Sequence, residues 1–282
     1  MTIEKKNKHR PVYSIIMSVY NGELYLKETI KSVINQSYKK WELIIVDNCS
    51  TDTTIDILND FRSGYDNIKI YSTDINSGGP ALPRNIGIKN SGGSYLAFID
   101  SDDIWYKEKL ETQLDYVNKF SLICSLANRV DENGKKLSSE KVTSDQIIDL
   151  SVLARKNKII HSSVVVQKDL FLSIMFDEDK FLNGLEDINA YRRYLARNGD
   201  GILIGKPLVE HRIISQSLGS NIVGEQRFVK GIYGLTKSMI ASEKYDNILL
   251  SLYIKIRSYI KYLIVKKLNR IKNVWWPNNL KE

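Results

Sequence analysis

Between residues 12 and 118, short apolar runs alternate with stretches of helical periodicity. This alternation limits the possible folds more than any other feature of the chain. Residues 12–19, 41–46, 67–72 and 95–99 are too short for globular helices and rich in β-branched and aromatic side chains, as buried strands are. Between them, residues 23–37 place Leu26, Ile30, Val33 and Ile34 on one face. Ser50-Thr51-Asp52 offers an N-cap to a segment carrying Ile55, Leu58 and Phe61. Residues 81–90 fit a short helix with Pro83 in its first turn, and residues 105–118 suggest a fourth helix. Strand alternating with helix predicts an α/β fold: a doubly wound, mostly parallel sheet with right-handed crossovers.

In such sheets ligands bind beyond the carboxyl ends of the strands. Here those ends read Tyr20-Asn21, Asp47-Asn48 and Asp100-Ser101-Asp102-Asp103. Asp100 and Asp102 are two residues apart, so one turn past the strand brings both to one spot. Clustered carboxylates repel and call for a counter-charge, which a hard divalent cation supplies. The competing reading makes Asp102 or Asp103 the cap of a helix beginning at Ile104. Capping alone gives no reason for polar signatures after several strands, so a shared crevice is the better expectation. Neither Gly-x-Gly-x-x-Gly nor a P-loop is present, and phosphate binding would rest on a metal and on Arg or Lys. Asp47 suits hydrogen bonds from a base or ribose, while Tyr20 could either stack on a base or belong to the core.

At 282 residues and a net charge of +8, the chain is large enough for a substantial core. The charge is concentrated: residues 251–282 hold eight Lys or Arg and one acid, leaving the rest nearly neutral. A basic tail on a neutral body argues against a nucleic-acid-binding core and for a local anionic partner. Cys49 and Cys124 show no metal-ligand spacing, and a reducing, cytoplasmic setting is the simpler expectation. No apolar run reaches the length of a membrane span, and Lys5 to Arg10 lead into a strand rather than a leader-like helix.

Five segments, in order, carry a family resemblance: Ser14-Ile15-Ile16-Met17-Ser18-Val19-Tyr20-Asn21; Gln36-Ser37-Tyr38; Trp41 to Asp52; Pro83-Arg84-Asn85-Ile86-Gly87; and Tyr95 to Asp103. The set resembles family 2 glycosyltransferases of the GT-A fold, of the bacterial cell-surface polysaccharide type. The resemblance implies a nucleotide-diphosphate sugar donor, most often UDP-linked, a divalent metal (Mn²⁺ or Mg²⁺) and inversion at the anomeric carbon. It places Ser18, Tyr20 and Asp47 at the base and ribose, Asp100 facing the ribose, Asp102 on the metal and Arg84 near the nucleotide. Ser18 stands where the family often has Pro, Asn48 where it often has Asp, and Pro83 replaces a common Ala.

Residues 121–126 and 158–167 are further strand candidates, separated by a hairpin-like turn at Asp131-Glu132-Asn133-Gly134-Lys135. Glu186-Asp187 opens a helix striped by Ile188, Tyr191 and Leu195. By itself an acid pair there is accounted for by the helix dipole; the resemblance makes Asp187 the catalytic base, acting at an ordinary pKa on the acceptor hydroxyl. A short strand ending at His211-Arg212 resembles the family's loop over the donor, with Arg212 on the diphosphate and His211 a further polar contact. His161 reads as structural. Leu249, Leu252, Tyr253, Ile256, Tyr259, Ile260, Leu263 and Ile264 form a helical stripe flanked by basic residues. It suits either a peripheral contact of residues 245–276 with the inner face of the cytoplasmic membrane, or packing against the body or a second copy as a homodimer.

The expected organisation is a donor half at 1–120, an acceptor and base half at 121–220 of the same GT-A domain, and a basic helical tail at 221–282. The partners are the nucleotide sugar and a glycan or lipid-linked acceptor, with no nucleic acid. The alternatives are a sugar nucleotidyltransferase, which usually carries a Gly-rich phosphate loop not found here, and a non-catalytic GT-A-like module on a membrane.

Overall fold

The computed structural model describes residues 12–155, 159–215 and 225–242. In chain order the elements are β1 (Tyr13–Val19), α1 (Leu26–Ile34), β2 (Trp41–Asp47), α2 (Thr54–Gly64), β3 (Ile68–Ser72), α3 (Ala81–Lys89) and β4 (Tyr95–Phe98). Next come β5 (Ile104–Trp105), α4 (Lys109–Leu114), β6 (Leu122–Val130), β7 (Lys136–Ser138), β8 (Gln146–Ile148) and α5 (Leu150–Arg155). The last are β9 (Val165–Gln167), α6 (Lys168–Leu172), α7 (Glu186–Asn198), β10 (Gly201–Arg212) and α8 (Glu225–Ser242).

The strands form one sheet in the order β3-β2-β1-β4-β9-β6-β10-β5, with β7 beside β6 and β8 beside β10. Strands β3, β2, β1, β4, β6 and β10 run in one direction; β9 enters antiparallel between β4 and β6. The expected mostly parallel α/β sheet is therefore present. Its apolar strands are buried because each face is covered. Ile15, Met17, Leu43 and Ile45 point into one core with Leu26, Ile30 and Val33 of α1 and Leu58 of α2. Their neighbours Ile16, Ile44 and Val46 point into the other core, with Ala81 and Ile88 of α3 and Ile188, Tyr191 and Leu195 of α7. Period-2 alternation thus sends successive residues of one strand into two separate cores.

The fourth helix is a departure from expectation. Residues 104–105 form a short strand antiparallel to Val209-Glu210, and only Lys109–Leu114 is helical. The reason is tertiary: the Trp105 amide donates to Ser32 Oγ (3.1 Å) and its indole N–H to the Ser162 carbonyl (2.7 Å). Those bonds hold Trp105 against α1 and the 3₁₀ turn at His161–Ser163, and with the pairing to β10 they override the helical pattern. The 158–167 candidate shrinks to β9, preceded by a 3₁₀ turn at His161–Ser163, while the strand ending at His211-Arg212 is the long β10. The hairpin turn is as read: Asp131 Oδ1 accepts from the amides of Asn133 and Lys135, and β7 pairs with β6. The striped tail beyond residue 242 lies outside the described residues. Among those described, no helix is long and apolar enough to cross a membrane.

Candidate active site

The segment after β4 is held by buried polar bonds. The Asp100 amide donates to Ser162 Oγ (2.9 Å), and its carboxylate accepts from Arg84 Nη2 (2.7 Å). Asp103 turns inward and is 1% exposed. It accepts from Ser162 Oγ, His211 Nδ1 (3.1 Å) and the Arg212 amide (2.9 Å). No helix starts at Ile104, so Asp103 is not a cap; it fastens the end of β10 to the end of β4. Burial would lower the His211 pKa, but the bond to Asp103 overrides that and lifts it to about 9, so the ring is an imidazolium at neutral pH. Asp103→Ala strands three donors and is expected to cost at least about 2 kcal/mol of stability, measurable as a lowered denaturant midpoint, with a smaller effect on activity.

Asp102, unlike Asp103, faces a cleft of about 940 Å³. Burial beside Asp103 and Asp100 pushes its carboxyl up to about 8. Across the cleft, α7 opens on Glu186-Asp187. Glu186 is buried, accepting the Gly184 amide on Oε2 and Arg84 Nη1 on Oε1 (both 2.7 Å). The buried guanidinium of Arg84 therefore spans Asp100 on one wall and Glu186 on the other. Burial, reinforced by the neighbouring charge of Glu186, pushes Asp187 up to about 7, despite Arg84 nearby. This differs from the ordinary pKa expected from the sequence, because the carboxyl is partly buried at the cleft wall beside Glu186.

Ser18, Tyr20, Arg84, Asp100, Asp102, Asp187 and Arg212 all line this one cleft. Tyr20 is 50% exposed, which removes the core reading for its ring. Asp47 sits behind the lining, 2% exposed; one carboxylate oxygen accepts from the Ser50 amide, and the other is buried without a partner among the described residues. Asn48 shapes the loop between β3 and α3 instead: its Oδ1 accepts from Thr73 Oγ1 and from the amide and hydroxyl of Ser77. The guanidinium of Arg212 is already engaged, by Glu28 (3.0 Å), by the Asp102 carbonyl (3.0 Å) and by the Tyr25 ring beneath it. To hold a diphosphate it would have to exchange those partners.

Of the polar lining residues, His161 was read from the sequence only as structural, and Arg129 was given no role. His161 is buried, bonded through Nδ1 to the Tyr191 hydroxyl (2.7 Å) and stacked on Phe98. Burial, with Arg84 nearby, pushes it down to about 3, so it is a neutral wall of the site. Arg129 is an exposed residue of the cleft lining, in register with His211 on the neighbouring parallel strand. The available signal was a single charged residue near the carboxyl end of an otherwise uncharged β6.

The sequence model of Glycosyl transferase family 2 matches residues 14–170, more than half of the chain. The chain belongs to glycosyltransferase family 2. Among relatives of this family 2 glycosyltransferase is the putative teichuronic acid biosynthesis glycosyltransferase TuaG of Bacillus subtilis, 31% identical over 220 residues. That match covers 75% of this chain and 83% of TuaG. The poly(ribitol-phosphate) β-N-acetylglucosaminyltransferase TarS of Staphylococcus aureus is 30% identical over 203 residues, 69% of this chain and 34% of TarS. The solved structure of S. aureus TarS 1–349 in complex with UDP superposes with a TM-score of 0.67 at 22% identity, covering 86% of this chain and 70% of that one. The GT-A fold expected of the family is thus the fold observed, and the chain is a glycosyl-transfer enzyme.

Proposed function

We propose that this glycosyltransferase moves a sugar, with inversion, from a nucleoside-diphosphate donor to a hydroxyl of an anionic cell-surface glycan or its lipid-linked precursor. UDP sugars are the first donors to test, since TarS binds UDP in its solved structure. The observation that carries the reading is Asp187: a carboxyl pushed to about 7 that shares one cleft with Asp102 and its acidic neighbours. A general base is most effective with a pKa near working pH, and Asp187 meets that condition for taking the proton of an acceptor hydroxyl. A base acting from the wall opposite the diphosphate favours in-line displacement and hence inversion.

The acid cluster suits a divalent cation. Asp102 is hard to ionise because it is buried and because Asp103 and Asp100 crowd it, a penalty that a cation would offset. Asp100 is held by Arg84, and Asp103 by Ser162, His211 and the Arg212 amide, so Asp102 would be the main protein ligand; among the described residues no group of three or more His, Cys, Asp or Glu is arranged to hold a metal. Phosphate oxygens and water would complete the shell, as is usual for Mg²⁺. When bound, the cation would neutralise charge developing on the departing diphosphate. On the nucleoside side, the exposed ring of Tyr20 is available to stacking, whereas the unpartnered oxygen of Asp47 is buried behind the lining and would meet a base or ribose donor only if that wall shifted.

Acceptor chemistry follows from Arg129 and from the names of TuaG and TarS, which refer to teichuronic acid and to poly(ribitol-phosphate). An arginine at the cleft surface suits phosphate or carboxylate of an acceptor. Arg129→Ala is expected to raise acceptor KM about tenfold or more with donor KM unchanged, in initial-rate assays with each substrate varied. The reading as a whole is tested by screening nucleotide sugars with Mn²⁺ or Mg²⁺ for release of the nucleoside diphosphate. Asp102→Asn should abolish that release. Turnover by this variant with the metal chelated would refute the metal role, and pyrophosphate release from a nucleoside triphosphate would favour a nucleotidyltransferase.

A further inference from the structure

The loop between β3 and α3 forms the donor-side wall of the cleft through Asn76, Gly78, Gly79 and Pro80. Asn48 holds it from beneath, through the bonds to Thr73 and Ser77. A second hold comes from the far half of the chain. Asn183 Nδ2 donates to the Gly78 carbonyl (2.6 Å), while the Asn183 carbonyl accepts from Lys230 Nζ (3.1 Å). The approach is unusually close. A Cβ on Gly79 would lie 2.3 Å from Asn183 Oδ1, 2.7 Å from its Cγ and 2.8 Å from its Nδ2, and no other heavy atom lies nearer. Gly78, with φ +81°, and Gly184, with φ +80°, supply the left-handed turns on either side of the contact. Gly184 then passes directly to Glu186 through its amide.

We propose that Asn183 is a positioning residue: its amide pins the Gly78-Gly79 wall to the turn that carries Asp187 and so sets the width of the donor side of the cleft. Asn183 is itself no part of the lining, whereas Gly78, Gly79 and Gly184 are. Cutting the tie frees the wall but not the base, because Glu186 remains on Arg84. Donor KM should therefore move and kcat should not. The proposal rests on reading this side of the cleft as the donor site.

The test is a mutant cycle read by donor kinetics and by UDP calorimetry. Asn183→Ala is expected to raise donor KM about three- to tenfold with kcat within twofold of wild type. Asn183→Asp should raise it at least as much, since it loses the donated N–H and sets a carboxylate oxygen against the Gly78 carbonyl. Gly79→Ala alone should raise donor KM because its methyl meets Asn183. In the Asn183→Ala background the three nearest atoms that the methyl would meet are gone, so the double variant should match Asn183→Ala. In the Asn183→Asp background the clash persists, and Gly79→Ala should do further harm. Additive effects of Asn183→Ala and Gly79→Ala, or a fall in kcat at constant donor KM, would overturn the proposal. If wild-type protein binds no nucleoside diphosphate, the donor reading fails and takes the positioning role with it. The contact itself would still register as non-additive melting temperatures in the same variants.

Discussion

Asp187→Asn lowers kcat about 10²- to 10⁴-fold, the usual contribution of a positioned general base, and leaves donor KM near that of wild type. The pH profile distinguishes this role from a structural one. Only the ionised carboxylate accepts a proton, so wild-type activity falls on the acid side of the Asp187 pKa. Burial beside Glu186 has moved that pKa upward, from 3.8 to about 7. The acid limb of kcat should therefore break near neutrality and lose about tenfold per pH unit below it. An aspartate at its ordinary pKa would keep activity to about pH 4. A limb near 4 in the wild type, or an asparagine variant that retains both rate and limb, would assign the base elsewhere.

The parts of this site that were legible in the sequence follow one geometric rule. Parallel strands present their carboxyl ends on one edge, so Tyr20, Asp47 and Asp100 to Asp103 could be grouped before any fold was seen. Asp187 was reached through the family resemblance, because an acid pair at a helix start has an ordinary explanation of its own. What stayed hidden depends on long-range contacts. Nothing local shows that Asp103 turns inward to meet residues more than a hundred positions away, or that Trp105 leaves a helical pattern to pair with Val209. Arg84 and Glu186 are separated by 102 residues, so their ion pair has no signature in either motif. The pKa of Asp187 is likewise set by its enclosure, which composition and spacing do not encode.

Arg84→Met should be the most destabilising single change at the site. The guanidinium is buried and makes one 2.7 Å bond to Glu186, which is also buried, and another to Asp100, which is partly open to the cleft. Removing it leaves an uncompensated buried carboxylate, a loss of about 3–5 kcal/mol for a buried pair. The measurement is a shift in denaturant midpoint at unchanged slope. Arg84→Lys should recover only part of the loss, since a single ammonium lacks the planar fork that reaches two carboxylates at once. Glu186→Gln in the methionine background should recover more, because it removes the charge left without a partner. Acidity supplies an independent sign. Burial would raise the Asp100 pKa, but the guanidinium of Arg84 beside it holds the carboxyl below its ordinary value, with His161 adding positive charge only once acid protonates its ring. In the wild type this contributes stability that is present above the unfolded pKa and lost as pH falls through the folded one. The methionine variant lacks most of that contribution, so its deficit should be widest near neutrality and narrow on acidification. A deficit that is constant with pH would mean that Arg84 acts by packing rather than by charge. In that case the tie between the two acidic walls would not be electrostatic, and Asp187 would owe its placement to the helix alone.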